Sequence, residues 1–141
     1  MALDLDRLLT VWDSPPGPDT VAAVGALYAD PFLLNGAVTP VAVLVSLSER
    51  MHSAIADQRR EILDVVTAGP DKVAVAFVVR GRHVGPLRMR LGTVAPTGKP
   101  VEMAVIDIFT LTDGLITEVR AVSDELGMLL GLGAVRHAGT P

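Results

Sequence analysis

After Arg60 the hydrophobic pattern of this 141-residue chain changes period, and that change constrains the fold more than any other feature. Ahead of it, apolar residues recur at helical spacing; beyond it come five runs that read as strands, at 61–67, 72–82, 86–94, 100–111 and 115–122. Short turn sequences divide them: Ala68-Gly69-Pro70-Asp71, the stretch from Gly81 to Gly85, Pro96-Thr97-Gly98-Lys99 and Thr112-Asp113-Gly114. Connections this short make the strands antiparallel neighbours. Residues 73–79 are apolar at every position, which predicts a strand covered on both faces. Helices followed by strands is the α+β arrangement, and a curved sheet wrapped around helices leaves a cavity at its concave face.

Three helices are expected before the strands. The first, 4–12, is closed by Ser14-Pro15-Pro16-Gly17-Pro18, whose prolines forbid continuation. The second starts at Asp19 or Thr20 and carries Val21, Val24, Leu27 and Tyr28 at helical spacing until Asp30-Pro31 stops it. The third has Thr39 as cap and Pro40 at its first position and extends to Ala56, with Val41, Leu44, Val45, Met51 and Ile55 as its buried stripe. A closing helical turn is expected over 124–132, with residues 1–3 and 136–141 loose. The whole of 1–141 reads as one domain.

Composition narrows the function. Five aromatic residues and a net charge of -4 give neither stacking platforms nor a phosphate-binding surface, so nucleic acid is not the expected partner. With no cysteine there is no disulfide, thiolate nucleophile or Cys-based metal site, and three scattered histidines offer no ligand spacing; no metal or other cofactor is expected. The apolar runs fall far short of the roughly 18 residues that span a bilayer. Acidic Asp4 and Asp6 stand where a signal peptide would carry bases, so the expectation is a cytoplasmic protein with no membrane association.

Several short motifs then occur in a telling order: Leu27-Tyr28-Ala29-Asp30-Pro31, Gly81-Arg82-His83-Val84-Gly85, Pro96-Thr97-Gly98-Lys99, Ile106-Asp107-Ile108-Phe109, Asp113-Gly114, Asp124-Glu125-Leu126-Gly127 and Leu129-Leu130-Gly131-Leu132-Gly133. Together, over 20–134, they resemble the SnoaL-like polyketide cyclases of the ketosteroid isomerase-like superfamily. The resemblance implies a cone-shaped fold of the nuclear transport factor 2 type: three N-terminal helices packed in a curved antiparallel sheet, and a short C-terminal helix. That superfamily hosts isomerases, cyclases, epoxide hydrolases, dehydratases and non-catalytic binding domains, so the fold does not choose among them.

Ile106-Asp107-Ile108-Phe109 resembles the isomerase strand that carries a protonated aspartic acid, a donor to the substrate's enolate oxygen. Tyr28 matches a tyrosine at the end of the family's second helix. Other positions depart from the pattern. The isomerase base falls at Asn35-Gly36, where an amide cannot abstract a proton, and the first-helix tyrosine falls near Leu8. The catalytic acid of the cyclases and epoxide hydrolases, seven residues after the turn glycine, falls at Ala121; the hydrolases' Arg/Asp pair reads Arg88 and Arg90.

If residues 96–99 form a four-residue loop, the ladder sets Arg88 opposite Asp107 and Arg90 opposite Val105. Alternation puts Asp107 on one face with Met103, Val105 and Phe109, and Ala104, Ile106 and Ile108 on the other. Hydrophobicity alone would turn the second face inward; the resemblance turns the first inward and leaves the second for a partner subunit, implying a homodimer through the outer sheet face. Paired with Arg88, Asp107 would be a carboxylate base; without it, desolvation would make it an acid.

The remaining candidates are His83, as proton shuttle or plain loop histidine, and Tyr28, Asn35, Arg90, Val105, Phe109, Val119 and Ala121 as groups around a small hydrophobic substrate. Asn35-Gly36 is equally a turn dipeptide, Asp124 a helix cap, and Trp12 first-helix packing. The leading expectation is a cyclase or isomerase acting on a polyketide- or steroid-like carbonyl compound by acid/base-assisted enolisation or ring closure, with Asp107, Arg88 and His83 catalytic. The alternatives are a non-catalytic ligand-binding or dimerisation domain, a pocket that works by holding a flexible substrate in reactive shape, and an epoxide hydrolase-like enzyme.

Overall fold

The change of period after Arg60 marks a sheet in the computed structural model, which describes residues 3–139. Helix α1 (Leu5–Asp13) is capped by Asp4, whose carboxylate accepts from the Arg7 N–H at 3.0 Å, and it stops before the prolines. After the short α2 (Thr20–Gly25) come strands β1 (Tyr28–Leu34) and β2 (Ala37–Thr39), then α3 (Val41–Ala54). β3 (Ile55–Ala68), β4 (Lys72–His83), β7 (Pro100–Thr112) and β8 (Leu115–Ser123) are the long strands, and α4 (Glu125–Gly131) closes the fold. β5 (Leu87–Met89) and β6 (Gly92–Val94) form a separate ribbon within the β4–β7 connection.

The main sheet runs β2-β1-β8-β7-β4-β3. It is mixed, because β1 lies parallel to β8 while its other pairs are antiparallel. Leu8, Val24, Val45, Val75, Phe77, Phe109 and Ile116 belong to one buried cluster that joins the helices to the concave face. The mixed class with three N-terminal helices and one C-terminal helix is the α+β arrangement read from the sequence.

Three local expectations are corrected. Tyr28 does not end a helix: α2 stops at Gly25 and Tyr28 opens β1, where pairing with Ile116 overrides the helical spacing of Val24, Leu27 and Tyr28. Thr39 does not cap α3; its hydroxyl donates to the Ala37 carbonyl, and Asp30, reaching from β1, accepts from the Val41 N–H at 3.0 Å. The run 73–79 is buried on its inward side, while its outward side is buried at Val78 and only half-buried at Ala74 and Ala76.

The ends differ too. Leu3 is packed in the core rather than loose, while residues 1–2 and 140–141 lie outside those described. Asn35-Gly36 does form the β1–β2 turn, both residues at positive φ, which the asparagine tolerates and the glycine adopts freely.

The largest correction concerns register. Residues 86–94 are two strands, not one, and neither joins the main sheet: Arg88 pairs with Thr93 across the ribbon. β4 pairs directly with β7 from Arg82↔Pro100 to Lys72↔Thr110, so Asp107 faces Val75. The physical cause is closure of the ladder at its open end. The His83 N–H donates to the Lys99 carbonyl and the Gly98 N–H to the His83 carbonyl, both at 2.9 Å, and residues 84–97 are thereby looped out.

Candidate active site

Alternation along β7 sends Met103, Val105, Asp107 and Phe109 to the concave side, while Ala104, Ile106 and Ile108 face outward. β8 adds Val119, Ala121 and Ser123; β3 adds Gln58, Arg60 and Ile62; α1 and α3 cover the opening with Leu8, Trp12 and Met51. Between them lies a cavity of about 280 Å³ with mostly apolar walls.

Asp107 is the carboxyl in its wall. Its Oδ1 atom is buried with no hydrogen-bond partner among the described residues, and burial pushes the carboxyl up to about 6, against an opposing pull from Arg60. Arg60 is committed elsewhere. Its guanidinium is 2.8 Å from Asp13 Oδ1, its backbone N–H donates to Asp13 Oδ2 at 3.3 Å, and the charge sits 5.9 Å from the Phe77 ring centroid. It acts on Asp107 through the field of its charge, not by neutralising contact.

Tyr28 supplies the second polar group. Trp12 Nε1 donates to its hydroxyl at 3.2 Å, and the two rings meet edge-on with centroids 6.0 Å apart. Burial holds the Tyr28 hydroxyl well above its usual range, an effect weakened by the Trp12 hydrogen bond and reinforced by Asp107. The phenol therefore stays neutral and keeps a proton to donate.

The cavity thus collects Asp107, Tyr28, Val105, Phe109, Val119 and Ala121 from the sequence candidates, and Leu8 as well. It does not collect the others. Arg88 and Arg90 are exposed on the β5–β6 ribbon, so the expected Arg88–Asp107 and Arg90–Val105 contacts are not formed. His83 is fully buried at the end of β4, not a loop residue. Its Nδ1 accepts from the Thr97 N–H at 3.2 Å and lies 3.0 Å from Thr97 Oγ1, outside the cavity wall. Asn35 spends its amide on the Ala121 backbone, accepting at 2.8 Å and donating at 3.2 Å.

Sequence reasoning misses Arg60 and Gln58, because it carries the helix to Ala56 and begins the strand at Glu61, whereas β3 starts at Ile55. No hydrophobic alternation marks them, because Asp57-Gln58-Arg59-Arg60-Glu61 is polar throughout. Asp124 caps α4 as expected, accepting from the Gly127 N–H at 2.8 Å. Trp12 does more than pack its helix, since it fixes the Tyr28 hydroxyl. Among the described residues no group of three or more His, Asp or Glu is placed to hold a metal ion, and no helix is long and apolar enough to cross a membrane.

With a helix-covered concave sheet and an inward aspartate on its central strand, the comparison with known families becomes decisive. The family model for SnoaL-like polyketide cyclase matches residues 7–132. The chain belongs to that family. No curated protein sequence matches this SnoaL-like chain. Among solved structures it is similar to TsrD from Streptomyces laurentii, with a TM-score of 0.77 at 22% identity, covering 93% of this chain and 92% of that one. It is similar also to IdmH from Streptomyces antibioticus, described as a candidate polyketide cyclase: TM-score 0.74, 23% identity, coverage 92% and 95%. A protein with a ketosteroid isomerase-like fold from Catenulispora acidiphila, solved with trimethylamine, gives a TM-score of 0.69 at 18% identity, covering 97% and 96%. Identities this low speak for the fold alone. Within that fold, this SnoaL-like chain keeps its one inward acid on β7 and presents a plain methyl, Ala121, on β8.

Proposed function

We propose that this SnoaL-like protein is a cyclase or isomerase that enolises a hydrophobic, polyketide- or steroid-like carbonyl compound, with Asp107 as its acid/base group. The observation that carries the reading is the unpartnered, half-buried Asp107 carboxyl in the wall of an apolar cavity that also holds the neutral Tyr28 phenol. A carboxyl poised at about 6 is mostly ionised at neutral pH yet basic enough to accept a proton. Asp107 would take the proton α to the carbonyl, while the Tyr28 hydroxyl would donate a hydrogen bond to the developing enolate oxygen. Returning the proton at another carbon gives isomerisation. Attack of the enolate carbon on a second carbonyl of the same molecule, followed by protonation of the new alkoxide by Asp107, gives ring closure.

The test is turnover of a panel of polycyclic ketones and linear polyketide mimics by wild type and Asp107→Asn. A fall in kcat of about 10²- to 10⁴-fold, with binding retained, is expected for loss of a general acid/base. Unchanged turnover removes Asp107 from the chemistry; binding by wild type without turnover favours the non-catalytic ligand-binding reading.

We also propose that two copies associate through the outer sheet face. Ile106 and Val122 are register partners there and are 55% and 76% exposed, with Ile108 beside them. Sedimentation velocity should give a dimer for wild type and a monomer for Ile106→Lys; a monomeric wild type rejects it.

A further inference from the structure

Gln58 is 6% exposed and lines the cavity, yet among the described residues its Oε1 has no partner and its side-chain amide forms no hydrogen bond. An unpaired buried amide destabilises a fold, so its retention calls for a reason. The backbone around it is arranged to point it inward. On β3, Ala56 pairs with Arg82 and Arg59 with Arg80, so Asp57 and Gln58 together oppose the single residue Gly81. This is a β-bulge. Asp57 holds it with φ 55, in the left-handed region that only a few side chains tolerate. Gly81 makes room for it: a Cβ there would collide with Ile55 Cγ2, lie 2.7 Å from the Ala56 carbonyl oxygen and sit 3.4 Å from Gln58 Cα.

The bulge changes which residues face the cavity. Ile55 points inward, and uninterrupted alternation would bring Asp57 in next and turn Gln58 out. With the extra residue, Gln58, Arg60 and Ile62 line the cavity instead. A left-handed aspartate and a close-packed glycine thus serve to present one amide to the ligand space.

Its place in the cavity sets it apart from Asp107 along the sheet. Gln58 lies at the level of Gly81, whose β7 partner is Val101, and Asp107 is six residues further along β7. That is roughly 20 Å of extended strand, which the bend of the sheet and the reach of the side chains shorten. A molecule touching both groups is elongated and polar at two separated points. A hydroxyl suits the amide best, because it can donate to the carbonyl oxygen and accept from the NH₂, and so satisfies either end.

We propose that Gln58 is the specificity-determining residue of this cavity, hydrogen-bonding a hydroxyl group at the end of an elongated ligand remote from Asp107. The substrate class is then a hydroxylated carbonyl compound of fused-ring or extended shape. Only the identity of the reacting end rests on the enolisation reading above.

The test is equilibrium binding by calorimetry of estrone, which carries a ketone and a phenol at opposite ends, and of 3-deoxyestrone, which lacks the phenol. Wild type is expected to prefer estrone by about tenfold, the worth of one good hydrogen bond. Gln58→Leu should abolish the preference by weakening estrone alone. The same variant, freed of an unpaired amide, should unfold at or above the wild-type midpoint temperature. No preference in wild type, no binding of either compound, a preference that survives in Gln58→Leu, or a lowered midpoint with both affinities reduced would each overturn the proposal. Asp107→Asn should keep the preference for estrone whether or not Asp107 is catalytic, so the two readings fail separately.

Discussion

Replacing Asp107 by Asn removes a carboxyl whose ionisation the fold resists, and the consequence for stability depends on pH in a definite direction. Below pH 3.8 the aspartic acid is protonated in both folded and unfolded chains. Between 3.8 and about 6 the unfolded chain releases the proton while the folded chain keeps it, so wild-type stability falls by about 1.4 kcal/mol per pH unit from this group alone. Above about 6 both states are ionised and the loss is complete, at about 3 kcal/mol. The Asp107→Asn variant has no ionisable group at this position and escapes that loss. Any fixed penalty for its buried amide is the same at every pH, and contributions from the other acids cancel in the comparison. Urea unfolding of both proteins from pH 4 to pH 8 should therefore show the variant gaining about 2.4 kcal/mol on wild type as the pH rises, mostly before pH 6.5, the first part of the loss having occurred below pH 4. A difference that stays constant with pH, or that moves in favour of wild type, would refute the claim that desolvation dominates at Asp107.

Arg60→Met removes the one cation that pulls on Asp107 and should raise its titration midpoint above about 6, read by carboxyl-carbon NMR; a downward move would contradict the assigned field. Tyr28→Phe leaves the Trp12 indole N–H buried without its acceptor and should cost about 2 kcal/mol in urea unfolding. Asn35→Ala should cost a similar amount, about 2 kcal/mol, by losing both hydrogen bonds to Ala121 and forcing alanine to φ 50, and Asn35→Gly should recover part of it.

The class of fold was legible because it depends on periodicity, and periodicity survives in a single sequence: the strand alternation that sent Met103, Val105, Asp107 and Phe109 to one face is written in the chain. Which face was inward was not written there. Ala104, Ile106 and Ile108 are the more apolar set, and only the resemblance around Ile106-Asp107-Ile108-Phe109 turned the aspartate toward the cavity. What failed was whatever depended on non-local pairing. Pairing of consecutive runs sets Arg88 opposite Asp107, whereas β4 reaches past sixteen intervening residues, 84–99, to join β7. Nothing local marks that choice, because Gly92 inside an alternating run reads as a strand residue until the turn at Arg90-Leu91 is seen. Tyr28 reads as helical for the same reason, its partner Ile116 being far along the chain. Arg60 and Gln58 escaped because the α3–β3 junction has no turn residue: the helix passes into the strand between Ala54 and Ile55.

The central claim is that Asp107 is a desolvated acid/base group held in an apolar cavity with its cation kept on Asp13. Site-specific carboxyl-carbon NMR titration of Asp107 in the wild-type protein tests it most directly. A midpoint at about pH 6 is the result this structure predicts. A midpoint near 3.8, as for a solvated aspartate, or below it, as for one neutralised by Arg60, would contradict it.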